Sequence, residues 1–246
     1  MAELVIRLDR ELWLFVAPRR RRRQVEVTHD GTASLGHVVE ALGVPLTEVG
    51  RLRVDGAPAG PSHLPRPGAT IDVQPMVRPQ AVPGWAGTFL LDVHLGTLAR
   101  RLRILGVDTA YRSQAGDDEL VGQAGTQHRL LLTQDRGLLK RRALWAGAYV
   151  RGSRADDQLA DVLDRFAPPL RPWTRCTACN GALAAVPKHE VADQLEPGTR
   201  CRYDQFARCR SCGRVYWHGA HGRRLDSIVA AARALAAHPR RSVGSS

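Results

Sequence analysis

Apolar and polar positions alternate along the first 78 residues in the way that predicts a small sheet with one helix. Apolar residues occupy every second position from Leu4 to Leu8, and this period of two is typical of a half-buried strand. Helical spacing follows between Thr32 and Gly43, with Ser34 in position to cap the helix. The predicted strands lie at 4–8 continued through 13–16, 25–27, 52–54 and 71–73. This order of elements is that of a β-grasp domain.

From residue 89 onward, short apolar runs alternate with helical patterns. The predicted strands are 89–91, 107–111, 129–133 and 148–151. The predicted helices are 95–105, 118–127, 136–143 and 156–166. Short connections between alternating strands and helices predict a parallel sheet with right-handed crossovers. Ligands of such sheets bind at the carboxyl ends of the strands.

Changes in composition divide the chain further. A stretch rich in Pro and Gly separates the two patterned regions and is typical of a linker. We therefore predict a multidomain chain that combines α+β and α/β architecture. The predicted segments are the β-grasp domain 1–78, the linker 79–88, an α/β domain 89–170, a cysteine-containing module 171–225, and a helix with a frayed tail 226–246.

Charge is spread unevenly along the sequence. The 36 basic and 24 acidic residues give a net charge of +12, and residues 171–246 hold 13 of the basic and five of the acidic residues. Such an excess favours a polyanionic partner, nucleic acid above all. A general preference for arginine is the alternative, because the only lysines are Lys140 and Lys188. The run Arg19–Arg23 falls at the predicted hairpin tip, where it forms either a solvated turn or a phosphate contact.

Hydropathy and cysteine content bear on the compartment. No apolar run approaches the 18 or so residues that a membrane-spanning helix needs, and charged residues interrupt the N-terminus where a signal peptide would be apolar. We expect no membrane association and a cytoplasmic location. Five cysteines, four of them in two C-x-x-C pairs, indicate a metal site in a reducing compartment rather than a disulfide framework.

Acidic residues stand where the predicted parallel strands end. Asp92 follows the first strand of the α/β domain, and Asp135 follows the third. Asp117 and Asp118 stand at the start of the helix between the second and third strands. Carboxylates gathered at one sheet edge repel one another unless a hard divalent cation neutralises them, so Mg²⁺ or Mn²⁺ is expected. The alternative is that each is a helix cap. A haloacid-dehalogenase-like phosphatase would need a second aspartate where this chain has His94.

The two C-x-x-C pairs predict a structural zinc ribbon. Cys176 and Cys179 form the first pair, and Cys209 and Cys212 form the second. Tetrahedral Zn²⁺ takes four thiolates from two such turns, which leaves no open position for catalysis. A redox pair is the rival interpretation. Cys201 is left over as an ordinary loop residue.

Two stretches of the chain resemble known families. Residues 43–75 resemble the ubiquitin-like sulfur carriers, whose chemistry needs a terminal Gly-Gly, whereas here the chain continues. The domain is therefore interpreted as a docking or substrate-positioning module, through which a protein partner could bind. The motifs FLLDVHLGTLARRLRILG from Phe89, DDEL from Asp117 and RLLLTQDRGLL from Arg129, followed by the paired cysteines, resemble the Mut-7 C-terminal RNase domain family over residues 89–225.

This second resemblance implies a PIN-like three-layer α/β/α nuclease followed by a zinc ribbon. The metal ligands that it implies are Asp92, Asp117 and Asp135. Asp118 competes with its neighbour for the same role, and Asp156 or Asp157 is a candidate fourth acid. Other residues are candidates for substrate contact, either to phosphate or by stacking on bases. These are Arg100, Arg136, Trp217 and His221.

The sequence thus predicts a ribonuclease that cleaves single-stranded RNA with metal-activated water. The alternative is a non-catalytic RNA-binding or ribosome-associated adaptor built from the β-grasp and zinc-ribbon modules. An equally good explanation of the candidate substrate-contact residues is that the arginines are ordinary surface residues and that the aromatic residues pack the zinc ribbon onto the nuclease domain. A sulfur-carrier-linked protein is the third interpretation.

Overall fold

The described part of the chain forms three sheets with helices packed around them. Residues 2–217 and 220–237 are described by the structure, a computed structural model. The strands are β1 (Ala2–Leu8), β2 (Gln24–His29), β3 (Val49–Val54), β4 (Ala57–Ala59), β5 (Thr70–Pro75), β6 (Phe89–Leu91), β7 (Thr109–Tyr111), β8 (Leu130–Thr133), β9 (Gly147–Tyr149), β10 (Leu183–Val186), β11 (Phe206–Cys209) and β12 (Val215–Trp217). The α-helices are α1 (Leu35–Ala41), α2 (Gly96–Ile104), α3 (Asp117–Thr126), α4 (Arg136–Leu139), α5 (Ala155–Phe166), α6 (Pro197–Arg202) and α7 (Ala220–Ala237). Within these ranges no helix is both long and apolar enough to cross a bilayer.

The N-terminal sheet confirms the predicted β-grasp. Its strand order is β2-β1-β5-β3-β4, with β1 parallel to β5 and antiparallel to β2. Helix α1 begins after Ser34, whose hydroxyl accepts a hydrogen bond from the His37 amide and so caps the helix. Gly43 follows the helix with φ +106°, and a Cβ there would lie 2.5 Å from the Phe15 carbonyl oxygen. Only glycine fits this close approach.

The prediction that 13–16 continues the first strand is wrong. After β1 the chain leaves the sheet and forms a short 3₁₀ helix, Arg10–Leu14, which Asp9 caps by accepting a hydrogen bond from the Glu11 amide. Leu12 and Phe15 turn inward from this segment and join the β-grasp core. Their three-residue spacing satisfies a helical turn, and the apparent alternation was a coincidence of composition.

The central sheet confirms the predicted α/β domain. All its pairings are parallel, and the strand order is β7-β6-β8-β9. Side chains of Phe89 and Leu91 lie on the face covered by α2, α5 and α7, whereas Leu90 lies on the face covered by α3 and α4. Helices on both faces bury the short strands completely, which explains why these strands are continuous apolar runs.

The segment between the two domains packs against the central sheet. Trp85 lies with its ring centroid 5.0 Å from Phe89 and 5.4 Å from Phe166, and its indole nitrogen donates to the Thr88 carbonyl. The Gln80 amide donates to the Arg165 carbonyl at 2.6 Å. The Pro- and Gly-rich composition therefore accompanies an ordered connection that is fixed to the second domain.

A third, antiparallel sheet of strands β10-β11-β12 carries the cysteine module. The buried Arg103 guanidinium on α2 attaches this module to the central sheet, because it donates to the Thr109, Thr177 and Ala178 carbonyls at 2.9–3.1 Å. Asn180 of the module adds two further hydrogen bonds to the central domain, because its side chain accepts from the Thr109 amide and donates to Asp108. The module is thus docked through buried polar contacts.

A buried ion pair joins the β-grasp to the central sheet. The Arg165 and Glu48 side chains are each 2% exposed and lie 2.7 Å apart. Arg165 also donates to the Thr47 carbonyl and the Gln80 side chain, while Glu48 accepts from the Tyr149 amide. Each charged group therefore has several partners, as a buried charge requires. This network fixes how the two domains sit against each other.

Replacing Arg165 with Ala is expected to destabilise the protein by about 3–5 kcal/mol, because the Glu48 carboxylate would stay buried without its partner. Chemical denaturation would measure this loss. Glu11→Gln is the control: it removes the more exposed pair with Arg151 at the same interface and should cost at most about 1 kcal/mol. Equal losses in both variants would contradict the role of the buried pair.

Candidate active site and metal centre

Asp92 follows strand β6 directly and is only 7% exposed. Its Oδ1 accepts from the Val93 amide at 2.5 Å, and its Oδ2 accepts from the Thr133 hydroxyl at 2.6 Å. These two bonds hold the carboxylate in a single orientation at the carboxyl edge of the sheet. A carboxylate that is buried among apolar strands is costly unless it has such partners.

Thr133 connects Asp92 to Asp135. While its hydroxyl donates to Asp92, its oxygen accepts from the Asp135 amide at 2.9 Å. The Asp135 Oδ1 in turn caps α4 by accepting from the Gly137 and Leu138 amides at 2.6 and 3.3 Å. Sequence reasoning missed Thr133. The signal was present, because a hydroxyl residue ends the otherwise apolar strand LLLT.

The structure does not bring Asp117 and Asp118 into a compact group with the first two acids. Both lie in the first turn of α3, where Asp118 is 90% exposed and pairs with Arg141. Over the described residues, the four cysteines are the one set of three or more metal-binding side chains whose ligand atoms lie within 4.8 Å of one another. The expected three-carboxylate cluster is therefore not formed. Acids at helix starts are stabilised there by the helix dipole without a metal.

The candidates for a fourth acid also have local roles. Asp156 and Asp157 lie in the first turn of α5, and Asp156 pairs with Arg101 on α2. Neither belongs to a metal-binding group in the part of the chain that the structure describes. The helix start again accounts for their position.

The linked pair of Asp92 and Asp135 nevertheless suits a divalent ion. Mg²⁺ keeps several waters and usually takes one or two carboxylates together with substrate phosphates, so a full cage of protein ligands is not needed. The Oδ2 of Asp135 has no hydrogen-bond partner among the described residues. These two carboxylates match the donor set that such an ion uses.

The two candidate phosphate-binding arginines differ in their surroundings. Arg100 is exposed on α2. Arg136 instead donates to the Leu14 and Phe15 carbonyls at 2.7 and 3.0 Å, and its guanidinium lies 5.5 Å from the Phe15 ring centroid. The residue after Asp135 thus ties the site to the β-grasp domain, a contact between distant segments that sequence could not reveal.

The four paired cysteines converge as the spacing predicts. Their sulfur atoms all lie within 4.8 Å of one another. The Cys176 and Cys212 sulfurs are 3.7 Å apart, and those of Cys179 and Cys209 are 3.4 Å apart. Ligands at the zinc–sulfur distance on a tetrahedron would be separated by about 3.8 Å. The group therefore fits Zn²⁺, whereas the remaining Cys201 is exposed and outside it.

The thiols of this group have different pKa values because their surroundings differ. Burial raises the pKa of Cys179 to about 12. Burial also acts to raise the pKa of Cys176, but hydrogen bonds from the Tyr216 hydroxyl and nearby amides outweigh it and lower the pKa to about 6. Four such sulfurs cannot all ionise together without a cation between them. A bound metal would remove that conflict.

An aromatic groove of about 650 Å³ lies on the face of the third sheet. Its lining includes Trp173, Phe206, Tyr216 and Trp217, and the Trp217 side chain is 38% exposed. Tyr216 meanwhile supports the cysteine group through its hydroxyl. The predicted contact residue Trp217 thus lies at an accessible surface. The side chain of the other, His221, lies outside the described residues.

Two family models match this chain and agree with its architecture. The family described as "Mut7-C RNAse domain" matches residues 87–229, and the family described as "Mut7-C ubiquitin" matches residues 1–81. No curated protein matches the chain. One similar solved structure is that of SAMP1 from Haloferax volcanii, with 18% identity and a TM-score of 0.24, covering 33% of this chain and 98% of that one.

Purified protein is expected to hold one Zn²⁺ per chain, and Cys209→Ser should lose it and unfold the third sheet because one of four ligands is gone. Metal analysis and thermal denaturation would show both effects. Cys201→Ser is the matched control and should keep the zinc. Retention of full zinc by the Cys209 variant would exclude this assignment.

Proposed function

Because the chain belongs to the Mut7-C RNAse domain family, we propose that it is a metal-dependent ribonuclease of the PIN-like class that hydrolyses single-stranded RNA. The observation that supports this best is the buried Asp92 at the end of a central parallel strand, linked through Thr133 to Asp135. Parallel sheets bind their ligands at this edge. Two carboxylates with fixed positions there are suited to phosphodiester chemistry.

The two acids would share the work of holding the reaction centre. Asp92 and Asp135 would bind Mg²⁺ or Mn²⁺, which supplies an activated water and neutralises charge on the phosphate. Thr133 keeps the Asp92 carboxylate oriented before substrate arrives, because its donated hydrogen bond fixes Oδ2. Asp135 is held by the α4 amides through Oδ1, so its Oδ2 would be the oxygen that binds the metal ion. Either Asp117 or Asp118 would supply a third carboxylate ligand to the metal ion when RNA is bound.

Charge and aromatic surfaces support RNA as the partner. The net charge of +12 favours a polyanion, and Arg100 on α2 would contact its backbone. The exposed Trp217 beside the aromatic groove offers a surface on which an unpaired base can stack. His221, close by in sequence, would contact the same strand. A cytoplasmic location belongs to this proposal, because free thiols that bind metal suit a reducing compartment.

Asp92→Asn and Asp135→Asn are each expected to lower RNA cleavage at least 100-fold, because each removes a metal-binding charge without changing side-chain size. A cleavage assay on labelled RNA and DNA, with EDTA and metal add-back, measures this. Circular dichroism must show that the variants stay folded. Parental cleavage rates in either variant would exclude the assigned site.

A second pair of variants identifies the third acid. Asp117→Asn and Asp118→Asn differ only in position, and the one that raises the metal concentration needed for half-maximal cleavage is the ligand. We expect Asp117 to be that residue, because Asp118 pairs with Arg141. An effect at Asp118 alone would reverse the assignment.

The alternative function is a non-catalytic RNA-binding or ribosome-associated adaptor. The observation in its favour is that the described carboxylates do not form a three-ligand group. In that case the β-grasp would serve as a docking module for a protein. Gel-shift binding of RNA without metal-dependent cleavage, at any tested Mg²⁺ or Mn²⁺ concentration, would favour the adaptor over the nuclease.

Trp217→Ala is expected to weaken binding of single-stranded RNA about 5-fold or more, because stacking on one aromatic side chain contributes about 1–3 kcal/mol per base. Fluorescence anisotropy with labelled RNA would measure the affinity. Trp217→Phe should retain most of it. If the aromatic side chain only packs the third sheet, the alanine variant will lose thermal stability while its RNA affinity stays unchanged.

A further inference from the structure

Five consecutive arginines, Arg19–Arg23, form the last part of the connection between β1 and β2, called here the arginine turn, and are mostly exposed. Among the described residues, none of them takes part in an ion pair. Within the described part of the chain, Arg21 is the one member of the run with a guanidinium hydrogen bond, because its Nε donates to the Val16 carbonyl at 3.1 Å. The charges of this arginine turn are therefore available to an external anion. The five positive charges repel one another, and this repulsion is unfavourable unless an anion is bound nearby.

Two acidic residues that precede the arginine turn have other partners. Asp9 caps the 3₁₀ helix through the Glu11 amide, and the Glu11 carboxylate pairs with Arg151 at 3.0 Å. Between residues 10 and 23 the chain carries six arginines against one glutamate. The positive potential of this surface is consequently not cancelled by its own segment.

Contacts between the domains tie the segment that precedes the arginine turn to the candidate active site. Arg136, the neighbour of Asp135, holds the Leu14 and Phe15 carbonyls. The turn begins four residues after Phe15, a chain distance of at most about 15 Å. The buried Arg165–Glu48 pair fixes the same interface from another side. The start of the arginine turn therefore lies within about 15 Å of the segment that Arg136 holds next to Asp135.

We infer that the arginine turn binds the phosphate backbone of the RNA strand whose scissile bond lies at Asp92 and Asp135. This inference rests on the proposed ribonuclease function and gives the β-grasp domain a role in it. Arginine suits the role because its planar guanidinium makes paired hydrogen bonds to phosphate oxygens. Binding is independent of base identity, since only the backbone is contacted.

The test replaces four arginines with Gln in one variant: Arg19, Arg20, Arg22 and Arg23. Arg21 is kept because it bonds to the backbone. Binding of a 20-nucleotide single-stranded RNA is measured by anisotropy at several salt concentrations, in the Asp92→Asn background and without added Mg²⁺ or Mn²⁺, so that cleavage is suppressed. We expect affinity to fall at least 10-fold and the slope of log affinity against log salt to fall by about 3, because each phosphate contact contributes about 0.7.

A charge-matched control replaces four exposed arginines on other elements with Gln: Arg66, Arg171, Arg200 and Arg202. Its slope should change by less than 1. An equal loss in both variants would show that net charge alone attracts RNA, and an unchanged arginine-turn variant would leave the turn free for a protein. Either result overturns the inference.

Cleavage by the parent chain, read together with RNA binding by the variants, separates this inference from the proposed function. If the parent chain cleaves RNA and the arginine-turn variant binds as tightly as the parent, only the inference fails. A different result is that the parent chain cleaves no RNA with any metal, while the arginine-turn variant loses RNA affinity and the control does not. In that case the nuclease proposal fails and the RNA-binding surface stands.

Discussion

The arrangement of the molecule depends on one buried ion pair, Arg165–Glu48, between the α/β and β-grasp domains. Such a pair adds little net stability, since desolvation offsets most of the attraction, but it tolerates only one geometry. The hydrogen bonds to Thr47, Gln80 and Tyr149 satisfy the remaining polar atoms of both groups. Because this geometry is fixed, Arg136 can hold the segment before the arginine turn, and the β-grasp stays attached next to Asp135.

The edge of the central sheet shows how one residue type serves two purposes. Asp92 and Asp135 each accept backbone amide hydrogen bonds, as helix-capping residues do, and both are linked through the Thr133 hydroxyl. Capping orients a carboxylate without using all of its lone pairs. A cap and a metal ligand are therefore compatible, and the cap supplies the rigidity that a reaction centre needs.

The cysteine module illustrates a signal that local sequence carries almost completely. Two C-x-x-C turns predict four converging sulfurs because each turn fixes its own pair, and the structure confirms the convergence. What holds the module to the rest of the protein was hidden. Arg103 would be expected on a solvated helix face, yet it is buried against the Thr177 and Ala178 carbonyls. A helical pattern gives a residue's face but not the element that covers it.

The sequence by itself determined most strands and helices of the first two domains, the β-grasp and parallel α/β architecture, and the convergence of the four paired cysteines, because periodicity and short-range spacing encode these directly. It failed at 13–16, where alternation resembled a strand and a capped 3₁₀ turn formed instead. Only the tertiary structure decided that Thr133 links two acids, that Asp118 pairs with Arg141, and that Arg136 contacts the β-grasp. Those contacts join residues distant in the chain, and their geometry depends on how whole domains pack.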